Sequence, residues 1–341
     1  MMAGRPADHL LLMEYLLLFG ACTFFSLQFV FQKLFERRAR EGTASCLWNI
    51  AVSGAVAALF LIVKSGVPDE MNGTAFLIAA LYAASGLICS VASISAMNCG
   101  SVAGVGIFCL AGGMILPFLY GVFSLSEFSG PFKWIGMLLL TISLFPAVMQ
   151  KDGEEKQDRR LRYVVLCSLV FLTNGFVSIF SKMHQISPKA VSEDSFVLTG
   201  SLLRCGAAVL LMLLWAWTAG RRSEKHPVRA AFWDIGRERP TAKRVFLVLL
   251  LSAATYSVMN TLGNLLSLRC MNLMEASVQF PLLSATVTVL TALFGALFFR
   301  EKLRTPTLVS LALTVAGAAM VAASPWLDLI FAIARDGFFL D

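Results

Sequence analysis

Arg204 is a permanent cation in the middle of an apolar stretch, about nine residues in from its start. A charge at the centre of a bilayer costs at least ~2.5 kcal/mol, so a charged residue kept there is functional by default. It can hold an anionic group of a solute or pair with a carboxylate. A second set consists of amides and phenols. Asn260 and Asn264 are four residues apart, and Tyr256 falls one turn before them, which puts all three on one helix face. Tyr82, Asn174 and Gln28 lie in other apolar runs, and Trp48, beside Asn49, is a weaker member of the set. An aromatic and amide lining suits a neutral or zwitterionic amphipathic solute. The same side chains also serve as hydrogen bonds between helices, worth ~0.6 kcal/mol each on average in membranes. Three carboxylates are candidates for coupling or gating. Glu275 opens an apolar run after Arg269, where a carboxylate beside a desolvated cavity can carry a proton; a helix N-terminus also simply favours a negative charge. Glu127 and Glu301 sit at helix ends and read as structural or gating elements.

Chemistry of other kinds is not encoded. There are no paired carboxylates, no His-x-x-x-His and no Ser/His/Asp set in an apolar run, so the chain is not expected to be an enzyme. His9, His184 and His226 are far apart, without a second ligand at metal spacing. The eight cysteines contain no C-x-x-C pair and nearly all fall in apolar runs, as small buried hydrophobes do. Neither a metal nor a cofactor is expected.

The elements that must position these residues follow from composition. The chain has 341 residues, 57% hydrophobic and only 14% charged, with a mean hydropathy of +0.75. An ordinary soluble domain has about 45–50% apolar and about 25% charged residues. Too few charges are available to cover a water-facing surface, so the bilayer is the expected solvent. The net charge of +7 then bears on topology and is no argument for nucleic acid. A ~30 Å hydrocarbon core needs about 20 apolar helical residues and excludes open strands. Ten such runs occur, roughly at 14–33, 45–64, 74–97, 101–123, 132–150, 162–182, 195–218, 244–268, 275–299 and 305–324. The first is read as a retained helix, because its apolar run continues past Cys22 without a convincing cleavage site. Ala230-Ala231-Phe232-Trp233 and the tail from Trp326 to Phe331 are expected to lie flat at the interface.

The second five runs repeat the first five. A gapless shift of 174 residues superposes Tyr82 on Tyr256, Ser93 on Ser267 and Met97-Asn98 on Met271-Asn272. The same shift carries Gly121 onto Gly295 and Glu127 onto Glu301, so each half has a Gly-x5-Glu at the end of its fourth helix. A shift of 149 carries Phe31 and Lys33 onto Phe180 and Lys182. A five-helix unit crosses the membrane an odd number of times, so its copy inserts upside down. The expectation is an all-α integral membrane protein of ten helices, built from two inverted repeats over residues 14–150 and 162–324. Inverted repeats are a signature of secondary transporters with a midplane site between the repeats. Loops 1, 5, 7 and 9 carry 20 Lys/Arg, while the opposite side with both termini carries 7, so the positive-inside rule sends the termini outward.

Together these features resemble the drug/metabolite transporter superfamily, specifically its ten-helix EamA-like members. The matching residues are Gly295-Ala296-Leu297-Phe298-Phe299-Arg300-Glu301-Lys302-Leu303 followed by Leu308 through Gly317, echoed by Gly121 to Glu127 and Trp134-Ile135-Gly136. The Phe-x-Lys ends at Phe31 to Lys33 and Phe180 to Lys182 are also similar to the family's first helix. The pattern departs at Ser126, where a glycine is usual, and at Pro146, late in the fifth helix. The resemblance implies export or exchange of small metabolites through a central cavity lined by both halves. It also implies termini in the cytoplasm, opposite to the charge count.

The expected function is a secondary active transporter for small organic metabolites, amino-acid-like or drug-like, in the plasma membrane, with proton coupling as an option. The alternatives are a flippase for lipids or lipid-linked sugars, and a non-transporting receptor or assembly subunit. The expected partners are the solute and the bilayer; the oligomeric state and the solute's identity are open.

Overall fold

The computed structural model of the chain describes residues 5–40, 42–66, 71–97, 99, 102–144, 157–221, 235–236, 242–300 and 305–338. They form ten helices: α1 (Arg5–Glu36), α2 (Thr43–Ser65), α3 (Gly73–Met97), α4 (Val102–Ser124), α5 (Pro131–Ser143), α6 (Gln157–Ile186), α7 (Glu193–Arg221), α8 (Lys243–Leu273), α9 (Ala276–Phe299) and α10 (Thr305–Phe338). Each apolar run satisfies its own backbone as a helix, which is what a solvent without hydrogen-bonding capacity demands. Nine are long and apolar enough to cross a membrane; α5, with 13 described residues, is the short apolar one. Large side chains such as Val63, Phe123, Leu161 and Leu297 are exposed on the outer faces, where only lipid can cover them. The molecule is therefore an all-α, multi-pass membrane protein.

One boundary departs from the sequence reading. The segment from Trp326 to Phe331 continues α10 through Pro325 to Phe338 instead of lying flat. Its polar residue explains this: Asp328 is buried and accepts the backbone N–H of Phe132 at 3.1 Å, capping the start of α5. The rings of Phe132 and Phe331 pack edge to face beside it. The segment from Ala230 to Trp233 lies outside the described residues.

The helices interlock across the middle of the sequence. α1 packs on α8, and α6 on α3; α1 packs on α9, and α6 on α4; α2 packs on α8, and α7 on α3. α2 pairs with α7, α4 with α9, and α5 with α10. Swapping the two halves maps this set of interfaces onto itself, and each of these interfaces joins one half to the other. The two halves are thus interlaced, with no seam between separate bodies. The helices also meet closely at the α2–α7 crossing, where a Cβ on Gly54 would stand 2.9 Å from both Cys205 Cβ and the carbonyl oxygen of Ser201. No larger residue fits there without moving a helix.

Candidate functional site

A narrow polar cleft, with room of about 20 Å³, lies beside the α2–α7 crossing. α2 contributes Ile50, Ser53, Gly54 and Ala57, α7 contributes Ser201 and Arg204, and α8 contributes Tyr256, Ser257 and Asn260. Arg204 is eleven residues into α7, which at 1.5 Å per residue is roughly 16 Å from its first turn and so near mid-depth. Its Nε is buried and has no hydrogen-bond partner among the described residues. The guanidinium passes over bare backbone on α3, with Cζ 3.5 Å from where a Cβ on Gly86 would be. Tyr82 and Tyr256, the pair related by the 174-residue shift, both lie within electrostatic reach of this cation. The Ser257 hydroxyl donates to the Ser53 carbonyl, tying α8 to α2 along the cleft.

The amides on α8 form a chain that leads away from the cleft. The Asn264 Nδ2 donates to the Asn260 carbonyl at 2.8 Å and to its Oδ1 at 3.2 Å. The Tyr82 hydroxyl donates to Asn264 Oδ1 at 3.5 Å. Tyr82 itself packs on Phe196, which stacks on His184 with centroids 4.0 Å apart. Four predicted residues (Arg204, Tyr256, Asn260 and, through its bond to Asn260, Asn264) thus meet at one place, with Tyr82 at its margin.

Apolar clusters lie above and below. Toward the ends of α2 and α8 and the starts of α3 and α7, Leu61, Ile78, Tyr82, Phe196, Leu268, Met271 and Phe280 form one buried group. Toward the opposite face, Phe35, Trp48, Ile50, Met212, Ile235 and Leu249 form another. The cleft is held between two apolar plugs.

Beyond the first plug, the connections on that face are cross-linked by charge. The Glu127 carboxylate accepts the backbone N–H groups of Ala276 and Ser277, each at 2.7 Å, and so caps α9 from the α4–α5 connection. A Cβ on Gly121 would fall 2.4 Å from Glu127 Oε2, which is why the Gly-x5-Glu spacing begins with glycine. Buried Lys133 donates to Glu275 Oε2 at 2.7 Å and to Ser277 Oγ at 3.1 Å. Lys182 donates to the carbonyls of Met271 and Met274, closing the C-terminus of α8. Lys64 and Asp194 join α2 to α7 at 2.7 Å. Glu127 and Glu275 therefore meet around the α8–α9 junction, about the N-terminus of α9. Glu301 lies outside the described residues.

The other predicted residues sit elsewhere. Asn174 donates to the Cys109 carbonyl at 2.7 Å, at the α4–α6 interface. Trp48 stacks on Phe35 and meets Phe246 edge-on within the second plug. Gln28 is buried on α1, and its Oε1 has no hydrogen-bond partner among the described residues. Sequence reasoning overlooked Ser53, Gly54, Ser201 and Ser257 as lining, and Lys133 as a buried cation. The signal for the first was the run of small residues at 53, 54, 57 and 58 on α2; for Lys133 it was a single charge inside an apolar helix start. Among the described residues, no group of His, Cys, Asp and Glu is arranged to hold a metal ion.

Residues 161–323, most of the second half, match the EamA-like transporter family. A solved crystal structure, described only as that of a protein, superposes with a TM-score of 0.65 over 90% of this chain and 96% of that one, at 14% identity. At that identity the likeness speaks for the fold alone. No curated protein matches the chain.

Proposed function

Because this chain is an EamA-like membrane transporter of the drug/metabolite superfamily, we propose that it exports or exchanges small organic metabolites across the plasma membrane by alternating access. The observation that carries the reading is the polar cleft at mid-depth, between helices of both halves, with an apolar plug on each side. A solute in such a cleft is desolvated by the plugs and oriented by a few polar groups, the usual division of labour in a binding pocket. The main interfaces between the halves exchange in pairs when the halves are swapped, so the same contacts rebuilt in the opposite sense would open the other plug. The gate nearest the α8–α9 junction is built from Glu127, Glu275, Lys133 and Lys182, whose bonds must be exchanged for water when that side opens. Glu275, whose side chain is about half exposed while its partner Lys133 is buried, is the carboxylate of that gate placed to exchange partners as it opens.

The test is flux and sidedness in proteoliposomes. A chain with its native cysteines replaced and Ser53→Cys introduced is expected to react with a membrane-impermeant thiol reagent from one side at rest. A transported solute is expected to shift that labelling toward the other side. Tyr256→Phe and Asn260→Ala are expected to lower flux several-fold while leaving the fold intact. Labelling confined to one side under every solute, with no flux in either direction, would leave a receptor or assembly subunit as the better reading.

A further inference from the structure

We propose that the transported solute carries an anionic group, a carboxylate or a phosphate, and that Arg204 is the residue that receives it. The inference rests on the cleft being the solute site. It adds a substrate class, which the amide and phenol lining alone leaves neutral. Arg204 forms no ion pair and no hydrogen bond among the described residues, and its buried Nε lacks any acceptor. Tyr82, Tyr256, Cys46 and Cys89 lie within reach of its field, and none of them is a carboxylate. Glu36, the carboxylate that also reaches Tyr256 and Cys46, is bound by Gln32 at 2.8 Å and makes no ion pair with Arg204.

Other cations in the structure are treated differently. Lys133 has a carboxylate, a carbonyl and a hydroxyl; Lys182 has two carbonyls; Lys64 has Asp194. Arg204 is left with open positions, although guanidinium geometry suits two-pronged binding of carboxylate or phosphate. It also stands beside hydroxyl groups of Ser53, Ser201 and Tyr256 and the amide of Asn260, which can serve a polar group next to the anion. Gly86 lets the guanidinium lie close against α3, with Cζ 3.5 Å from where a Cβ would stand, which holds Arg204 at the cleft. A buried donor without an acceptor is costly, and a ligand oxygen removes that cost.

The experiment measures thermal stabilisation and binding on the purified full-length chain in nanodiscs of neutral phosphatidylcholine. The probes are matched pairs: benzoate with benzamide, succinate with succinamide, and phenyl phosphate with phenol. At least one anion is expected to stabilise the protein where its neutral twin does not. Arg204→Gln is expected to weaken that binding about tenfold to a hundredfold, with Arg204→Lys retaining part of it. Because Arg204 supports no bond within the protein, Arg204→Gln without ligand is expected to melt at or above the parent temperature. A large drop in that melting temperature, with anion binding unchanged, would assign Arg204 to structure and overturn the proposal. Flux of neutral or cationic solutes unaffected by Arg204→Gln, with no anion bound, would overturn it too while leaving transport standing. Absence of flux for every solute would instead count against the transporter reading. A parallel set in phosphatidylglycerol nanodiscs separates the sources: protection by that lipid alone, lost in Arg204→Gln, keeps anion recognition and makes a lipid headgroup its origin.

Discussion

Ser126 and Arg300 are the two non-glycine residues with positive φ among those described, each at 54°, and they are one 174-residue shift apart. The departure noticed in the sequence, a serine where glycine is usual, therefore falls on a left-handed backbone position that exists in both halves. The left-handed region costs an L-residue roughly 1–2 kcal/mol, and glycine gives back part of the gain as chain entropy. Ser126→Gly is expected to stabilise the protein by about 0.5 kcal/mol, seen as a higher melting temperature in detergent; a lower one would show that the serine side chain contributes more than the backbone strain removes. Glu127, one residue on, was legible as a repeated motif. Its partners were not, because a spacing motif says nothing of a helix start 149 residues away. Glu127→Ala strands the N–H groups of Ala276 and Ser277 and is expected to cost about 1–3 kcal/mol in unfolding measurements. Glu127→Gln keeps an acceptor and should cost less. Equal losses for the two would show that a neutral acceptor is not enough and that the charged carboxylate, with both its oxygens, is what holds α9.

At the level of helices, hydropathy located all ten runs, since a bilayer-sized apolar stretch has one stable backbone solution. It failed at the end of α10, where the sequence from Trp326 to Phe331 carries an acid that looks interfacial until Asp328 is seen to cap α5. It also failed to rank the polar residues within the runs. Tyr256 and Asn260 line the cleft while Asn174 bridges α4 and α6, and the two environments follow from helix rotation, which hydropathy does not encode. The α2–α7 crossing makes a sharp demand: Gly54→Val is expected to force the two helices apart, at a cost of about 1–3 kcal/mol as an overpacked core contact. The readout is reduced monodisperse yield on size exclusion together with lost flux. A fully active Gly54→Val protein would show that the crossing is looser than its distances indicate.

For the whole molecule, the duplication was read from a few matched residues in a common register, and the main interfaces between the halves exchange in pairs when the halves are swapped. The sidedness of the protein is the point on which two sequence arguments diverged. Ten crossings put both ends on one face, and the excess of Lys/Arg, 20 against 7, sends that face outward. Protease protection of terminal tags in sealed vesicles is the direct measurement, and tags shielded on the cytoplasmic side would favour the topology implied by the family. The cross-linked face around Glu127 and Glu275 would then be the cytoplasmic gate instead of the outer one.

The interlacing of the halves also constrains how the chain is made. Helices leave the ribosome in order, so α1 to α5 enter the bilayer before any of their main packing partners exist. Through that interval Lys133 lacks Glu275 and Ser277, Glu127 has no helix start to cap, and α1 waits for α8 and α9. Assembly is therefore late: the first half gains its main contacts only as α6 to α10 arrive. A ribosome stalled after α5 leaves an intermediate that quality control should recognise by its unmatched charges, and co-translating the missing half in the same cell should rescue it.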